Sequence, residues 1–142
     1  MNAKDFLKQL RKLDMMIKNK MIEQAQMKAM AYGISSPGAP DTGVRVQSSG
    51  SQRRQEDVIC KYVDMEAEID RRIDALVDAR MEVIRVIEQL NAEEYDLLHK
   101  VYVQYYTLGE VAEIDDKSYS YCTTLHGRAL KSVQAILDKG IE

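Results

Sequence analysis

The sequence predicts an all-α protein: a long helical hairpin of coiled-coil character followed by a C-terminal helix-turn-helix. Three observations predict it. Apolar residues recur at spacings of three and four over two long stretches. Strong helix formers (Met, Leu, Ala, Glu, Lys, Arg) are abundant, whereas the aromatics are eight Tyr and one Phe, with no Trp. Both prolines and most of the glycines fall in a single segment, residues 33–52.

Residues 1–32 form the first helix. Phe6, Leu10, Leu13 and Ile17 follow a coiled-coil seam that continues through Lys20 and Gln24 to Met27 and Ala31. Leu7, Met16, Met21 and Met30 widen the stripe, which suits either packing on a partner helix or an adaptable Met-rich protein surface. The lysines lie mostly off the stripe, as a solvated face or as phosphate contacts. Residues 33–52 (GISSPGAPDTGVRVQSSGSQ) read as a flexible linker. They contain no GxxxxGK[ST] phosphate-binding pattern.

Periodicity returns over 53–90, where Val58, Tyr62, Met65, Ile69, Ile73, Leu76, Val83, Ile87 and Leu90 share a stripe with one charged member, Arg80. At ~1.5 Å per residue this helix is about 55 Å long and needs a partner along its stripe. The first helix, folding back, is the nearest one. Asp64, Glu66, Glu68, Asp70, Asp74 and Asp78 are interleaved with arginines and read as i,i+4 ion pairs, not as a metal site.

Residues 91–142 open on Asn91 as a helix cap, with Glu94 three residues on. Tyr95, Leu98, Val101, Tyr102 and Tyr105 then form an amphipathic helix, with packing the expected role of its tyrosines. Thr107 caps a short helix with Glu110 at the capping-box position, and Leu108, Val111 and Ala112 are its apolar side. Ile114 to Lys117 interrupts. Ser118 or Ser120 caps the next helix, whose apolar side is Cys122, Leu125, Ala129, Leu130 and Val133. Lys139-Gly140 is a basic last turn with a glycine stop.

Charge is divided along the chain: +4 over residues 1–32, −3 over 33–90 and −4 over 91–142, for −3 in all. No stretch is apolar enough for a membrane span, and the N-terminus lacks the features of a secretory signal. Cys60 and Cys122 have no ligand-spaced partners and suit a reducing cytosol. With only His99 and His126 present, no catalytic constellation, metal site or cofactor motif emerges, and an enzyme is not expected. Cys122 and His126 stand at i,i+4, yet a zinc site would need two more ligands.

Residues 91–136 resemble region 4 of sigma factors, the C-terminal helix-turn-helix, from Thr107-Leu108-x-Glu110-Val111-Ala112 through Ser118 to Ala129-Leu130 without insertion. The whole arrangement, including LNAEEYDLLHKVYV, resembles phage and prophage proteins of Gram-positive bacteria related to the late-gene regulators RinA and ArpU. In that register Ala112 is the small residue at the helix crossing, and Cys122 and Leu125 point inward. The resemblance implies transcriptional control through promoter DNA in the cytoplasm of a bacterial host. DNA is then the direct partner, RNA polymerase a further one, and the long helices serve a homo-oligomer. The candidate DNA-contacting residues are Lys117, Ser118, Tyr119, Ser120, Thr123, Thr124, Arg128 and Lys131. Tyr119 fits packing and phosphate or base contact equally well.

Two departures bear on this. Asp115, Asp116 and Lys117 replace the apolar–Gly–apolar turn, so Ile114 is expected to supply the turn's core contact. The second helix is also poor in Arg, which restricts bidentate readout of guanine. An alternative from another class is a protein-interaction module that binds RNA polymerase or another protein and no DNA. A third possibility is a structural coiled-coil component of a phage particle.

Overall fold

The computed structural model describes residues 1–31 and 49–140, and helices are the only regular elements among them. The fold is all-α. The long helices are α1 (Ala3–Ala31) and α2 (Ser49–Glu88). Of the expected linker over 33–52, residues 33–48 lie outside the described residues, and α2 is already formed at Ser49, ahead of the expected start at Arg53. Next come α3 (Ala92–Leu98), a π-helical stretch (His99–Val103), α4 (Leu108–Ile114) and α5 (Tyr119–Lys139). The chain divides into two compact units, Met1–Met15 with Val77–Glu142, and Met16–Leu76.

The first unit draws its core from both ends of the chain. Ala3, Phe6, Leu7 and Leu10 of α1 pack with Val83, Val86 and Ile87 of α2, with Leu98 and Tyr102, and with Ala129 and Val133 of α5. The unit therefore reaches back past residue 91 to Val77 and out to the first turns of α1. The backbone N–H of Ala3 donates to Oε1 of Gln134 at 2.8 Å, tying the start of α1 to α5. Arg80, the charged member of the α2 stripe, ion-pairs with Asp14 of α1. Its placement in the seam is thus explained by a partner, as burial of a guanidinium requires.

A second cluster joins Leu97 to Val111, Ala112, Cys122 and Leu125, with Val101 packed against both clusters. Asn91 accepts the Glu94 amide at 2.9 Å and starts α3. The expected single amphipathic helix through Tyr105 is then modified. The π-helical turn, closed by the Gln104 amide on the His99 carbonyl at 3.0 Å, inserts an extra residue into the ladder. Beyond it Tyr105 adopts φ 67, a left-handed conformation that ends the helix. Tyr95 and Tyr102 pack against the core as expected, but Tyr105 does not. Its hydroxyl donates to Asp14 and its ring lies under Arg11, with the guanidinium carbon 4.6 Å from the ring centroid. Desolvation, then the Asp14 carboxylate, pushes the Tyr105 pKa up to about 12.

In the second unit α1 and α2 pair antiparallel. Gln24 Nε2 donates to Asp70 Oδ1 at 2.6 Å, and Tyr62 is buried. Glu68 and Arg72 form one of the expected i,i+4 ion pairs, at 2.8 Å. Met16, Met21 and Met30, which widen the α1 stripe, are exposed, Met30 by 80%, so the packed-face alternative does not hold for them. Val58 and Met65 of the α2 stripe are also largely exposed. The reason is geometric: two helices bury one seam, and side chains flanking it need further neighbours.

One half-buried polar pair in the first unit couples its stability to pH. Tyr102 and His126 hydrogen-bond through the hydroxyl and Nε2 at 2.9 Å, with their rings stacked. Burial, and then the positive charge of Lys4, holds the His126 pKa below its ordinary 6.5. Below 6.5 the unfolded chain binds a proton that the native imidazole refuses, so stability is complete above that value and falls as pH decreases through the native pKa. Urea titrations from about pH 7.5 to about pH 5.5 should show this loss, and it should be smaller in His126→Gln, which keeps a polar partner for Tyr102. An equal loss in both proteins would remove His126 as a cause.

Candidate nucleic-acid interface

The segment from Thr107 to Leu130 is held by a chain of local devices, each readable from residue chemistry. Thr107 and Glu110 form a reciprocal capping box: the Glu110 amide donates to the Thr107 hydroxyl, and the Thr107 amide to the Glu110 carboxylate, both at 3.2 Å. A cap of this kind stabilises a helix by ~1 kcal/mol, which matters for an element of seven residues. Val111 and Ala112 face Cys122 and Leu125 in the second core cluster, the inward positions that the resemblance implies.

The turn departs from expectation. Ile114 does not supply a core contact; it is 51% exposed. Two backbone hydrogen bonds close the turn instead: the Lys117 amide to the Ala112 carbonyl at 2.9 Å and the Asp116 amide to the Glu113 carbonyl at 3.3 Å. That pairing is a Schellman motif, with Asp116 at its left-handed position, φ 53. Asp is among the few non-glycine residues that tolerate this region, so it can stand where glycine is otherwise preferred. The neighbouring Asp115 is clamped by Lys100, whose Nζ lies 2.7 Å from it and 2.6 Å from Asp96. The hydrogen bond to Asp115, then that to Asp96, raises the Lys100 pKa. An ion pair from the π-helical turn thus supplies what an apolar side chain was expected to give.

Ser118 is the N-cap of α5 and accepts the Tyr121 amide at 3.0 Å. Cys122, Leu125, Ala129 and Val133 are buried on the inner side. Cys122 packs against Leu97 and Val111, while His126 is engaged by Tyr102. The opposite side of α5 carries Ser120, Thr123, Thr124, Arg128 and Lys131, all exposed, and Tyr119 at its start is 61% exposed. Lys117 is exposed over the Tyr121 ring at 5.5 Å, and Tyr121 donates to Glu93 at 3.4 Å. The Thr123 hydroxyl donates to the Tyr119 carbonyl at 2.9 Å and retains its lone pairs for a ligand. All eight sequence-predicted residues are exposed, although Ser118 also serves as the cap.

Gly127 belongs to this surface and has no counterpart among those predictions. It sits in the middle of α5, exposed between Thr123 and Lys131, and a Cβ there would meet nothing within 4 Å. A mid-helix glycine costs ~1 kcal/mol relative to alanine, and no neighbour among the described residues requires it. Its sequence signal was a glycine inside a strongly periodic helix.

Beside α5 lies a shallow cleft of about 290 Å³ lined by Glu93, Asp96, Asp115, Lys117 and Tyr121 over Leu97 and Leu125. It is an acidic border to the hydroxyl-rich face. A different border lies at Lys131, which shares a cleft of about 310 Å³ with Lys4, Asp5 and Gln134.

The turn geometry carries its own test. Replacing Asp116 by Gly should leave stability unchanged or raise it by up to about 1 kcal/mol, whereas Asp116→Val should lower it by ~1–2 kcal/mol. Chemical denaturation with unchanged m-values would read both. Equal stability of the Gly and Val variants would contradict the left-handed assignment.

Residues 33–134 match the model of a family described as "Protein of unknown function (DUF1492)". The matched stretch includes α2 to α4 and most of α5, and leaves α1 outside. No curated protein and no solved structure matches the chain. With well over half of its 142 residues matched, the chain belongs to the DUF1492 family.

Proposed function

We propose that this chain is a transcriptional regulator of phage or prophage type, related to the RinA and ArpU group. In this reading α4, the turn and α5 act as a sigma region 4-like helix-turn-helix that binds promoter DNA. The observation that carries the reading is the outer face of α5. It presents hydroxyls (Ser120, Thr123, Thr124), cations (Arg128, Lys131) and a glycine that internal packing does not need. Hydroxyls and cations contact phosphates and base edges, and a missing side chain lets a groove wall approach the helix backbone.

Binding to duplex DNA should be salt-dependent and measurable by fluorescence anisotropy with a duplex selected from a random pool. Gly127→Ala should raise stability by ~1 kcal/mol while weakening DNA binding, a pairing of effects that a merely structural glycine does not give. No binding by the wild-type chain at low salt would overturn the reading.

A second reading, a module that binds RNA polymerase or another protein without DNA, is favoured by the acidic cleft of Glu93, Asp96 and Asp115 beside α5. Recovery of polymerase from nuclease-treated extract, combined with no affinity for DNA, would select it.

The long helices serve self-association in this proposal. Met16, Met21, Ile22, Val58, Ile59, Val63 and Met65 leave apolar surface uncovered on the second unit. A second copy fits that surface by charge. The α1 segment carries Lys18, Lys20 and Lys28 against Glu23, whereas residues 53–76 of α2 carry seven carboxylates against five cations. A two-fold axis sets the basic segment of one copy beside the acidic segment of the other. Sedimentation should show a dimer that Ile22→Lys with Val63→Lys converts to monomer; an unchanged sedimentation coefficient would exclude this face.

A further inference from the structure

We propose that Lys4, Lys8 and Arg11 of α1 form a second contact surface for the DNA sugar-phosphate backbone, extending from Lys131 of α5 to the corner at Tyr105–Thr107. The inference rests on the DNA-binding reading above and adds to it a site on a helix outside the family match.

The three residues stand at i, i+4 and i+7, which places them within an arc of roughly 60° on one helical face. Their successive separations along the axis are about 6 Å and about 4.5 Å. A line of cations at such intervals suits a polyanion whose strand repeats every ~3.4 Å of axial rise.

Both ends of the line meet the helix-turn-helix segment. At one end, Lys4 and Lys131 line the same cleft, and the Ala3–Gln134 hydrogen bond fixes this turn of α1 against α5. Lys4 is close enough to His126 for its charge to help lower that imidazole's pKa. Asp5 also borders this cleft, so Lys4 is the weaker of the three contacts. At the other end, Lys8 and Arg11 line a cavity of about 390 Å³ with Leu7, Val101, Tyr102, Tyr105, Tyr106 and Thr107, and among the described residues no carboxylate lines it.

Among the described residues Lys20, Arg72, Arg80 and Lys100 form ion pairs, while Lys4, Lys8, Arg11 and Lys131 form none. Asp14, the nearest acid along the helix from Arg11, is taken by Arg80 and by the Tyr105 hydroxyl. Arg11 lies instead over the Tyr105 ring. That ring is presented by a left-handed, non-glycine backbone, a conformation that persists only where its surroundings impose it. A wall of fixed aromatic and cationic groups, its cations drawn from the net-basic segment of the chain, favours phosphodiester oxygens over an apolar or cationic ligand.

The test uses the full chain and a random-sequence duplex. Lys4→Gln, Lys8→Gln and Arg11→Gln together should leave the helical content and oligomeric state unchanged, since all three are exposed. The variant should lower the slope of log K against log salt by about 2–3, the counterion release of three phosphate contacts. A control of equal charge change, Arg85→Gln with Lys139→Glu, both exposed and off this face, should retain the wild-type slope. A wild-type slope in the first variant would overturn this surface while leaving DNA binding by α5 intact. So would an equal drop in the control, which would trace the effect to net charge. Absence of any binding by the wild-type chain would remove the DNA reading itself, and this inference with it.

Discussion

The packing of Phe6, Leu7 and Leu10 against Val83, Val86, Ile87, Ala129 and Val133 is the constraint on which the first unit depends. It joins the first turns of α1, the last turns of α2 and the middle of α5 in one core. Each of these helices is too isolated in sequence to be stable by propensity alone, and helices in proteins draw most of their stability from such burial. Because the inner side of α5 is committed to this core and to Leu97, Val111 and Ala112, its outer side is defined at the same time. The core therefore determines which hydroxyls and cations remain for a ligand.

The turn shows how a net acidic segment can hold the same outline with different chemistry. Asp116 supplies the left-handed residue, and the Lys100 clamp on Asp115 replaces an apolar plug. This keeps acidic charge beside α5, on the Glu93–Asp96 side, and leaves the Lys131 side more basic. A polyanion approaching α5 meets an asymmetric field, repelled along one flank and attracted along the other. In the proposed DNA-binding reading, that asymmetry would set an orientation without guanine-specific arginines.

Much of the helical outline was legible in the sequence. Thr107, Asn91 and Ser118 as caps, the inward Cys122, Leu125, Ala129 and Val133, and the Gly140 stop follow from spacing and residue type. Periodicity identifies an apolar stripe but not its partner, which is why the joining of Leu7 and Leu10 to α5 was not readable. It also cannot tell a buried seam position from a flanking one, so for Met16, Met21 and Met30 a packed face and an open surface both fitted the spacing. Tyr105 was misread for a different reason. Its fate depends on an inserted residue in the backbone ladder at His99–Val103, and amphipathic spacing carries no mark of a π-turn. Gly127 was visible as a letter, but its significance needed the structural fact that nothing lies above it.

The tie between Ala3 and Gln134 spans 131 residues of sequence. A helical protein of this size would ordinarily fold quickly through neighbouring contacts. Here the first three turns of α1 must wait for α5, whose Gln134 is made 131 residues after Ala3, before their apolar side is covered. Until then Phe6, Leu7 and Leu10 stand open to chaperones or to the same segment of a nascent neighbour. The order of synthesis thus opposes the order of packing, and a chain cut back to the family-matched residues 33–134 would expose Val83, Val86 and Val133 permanently.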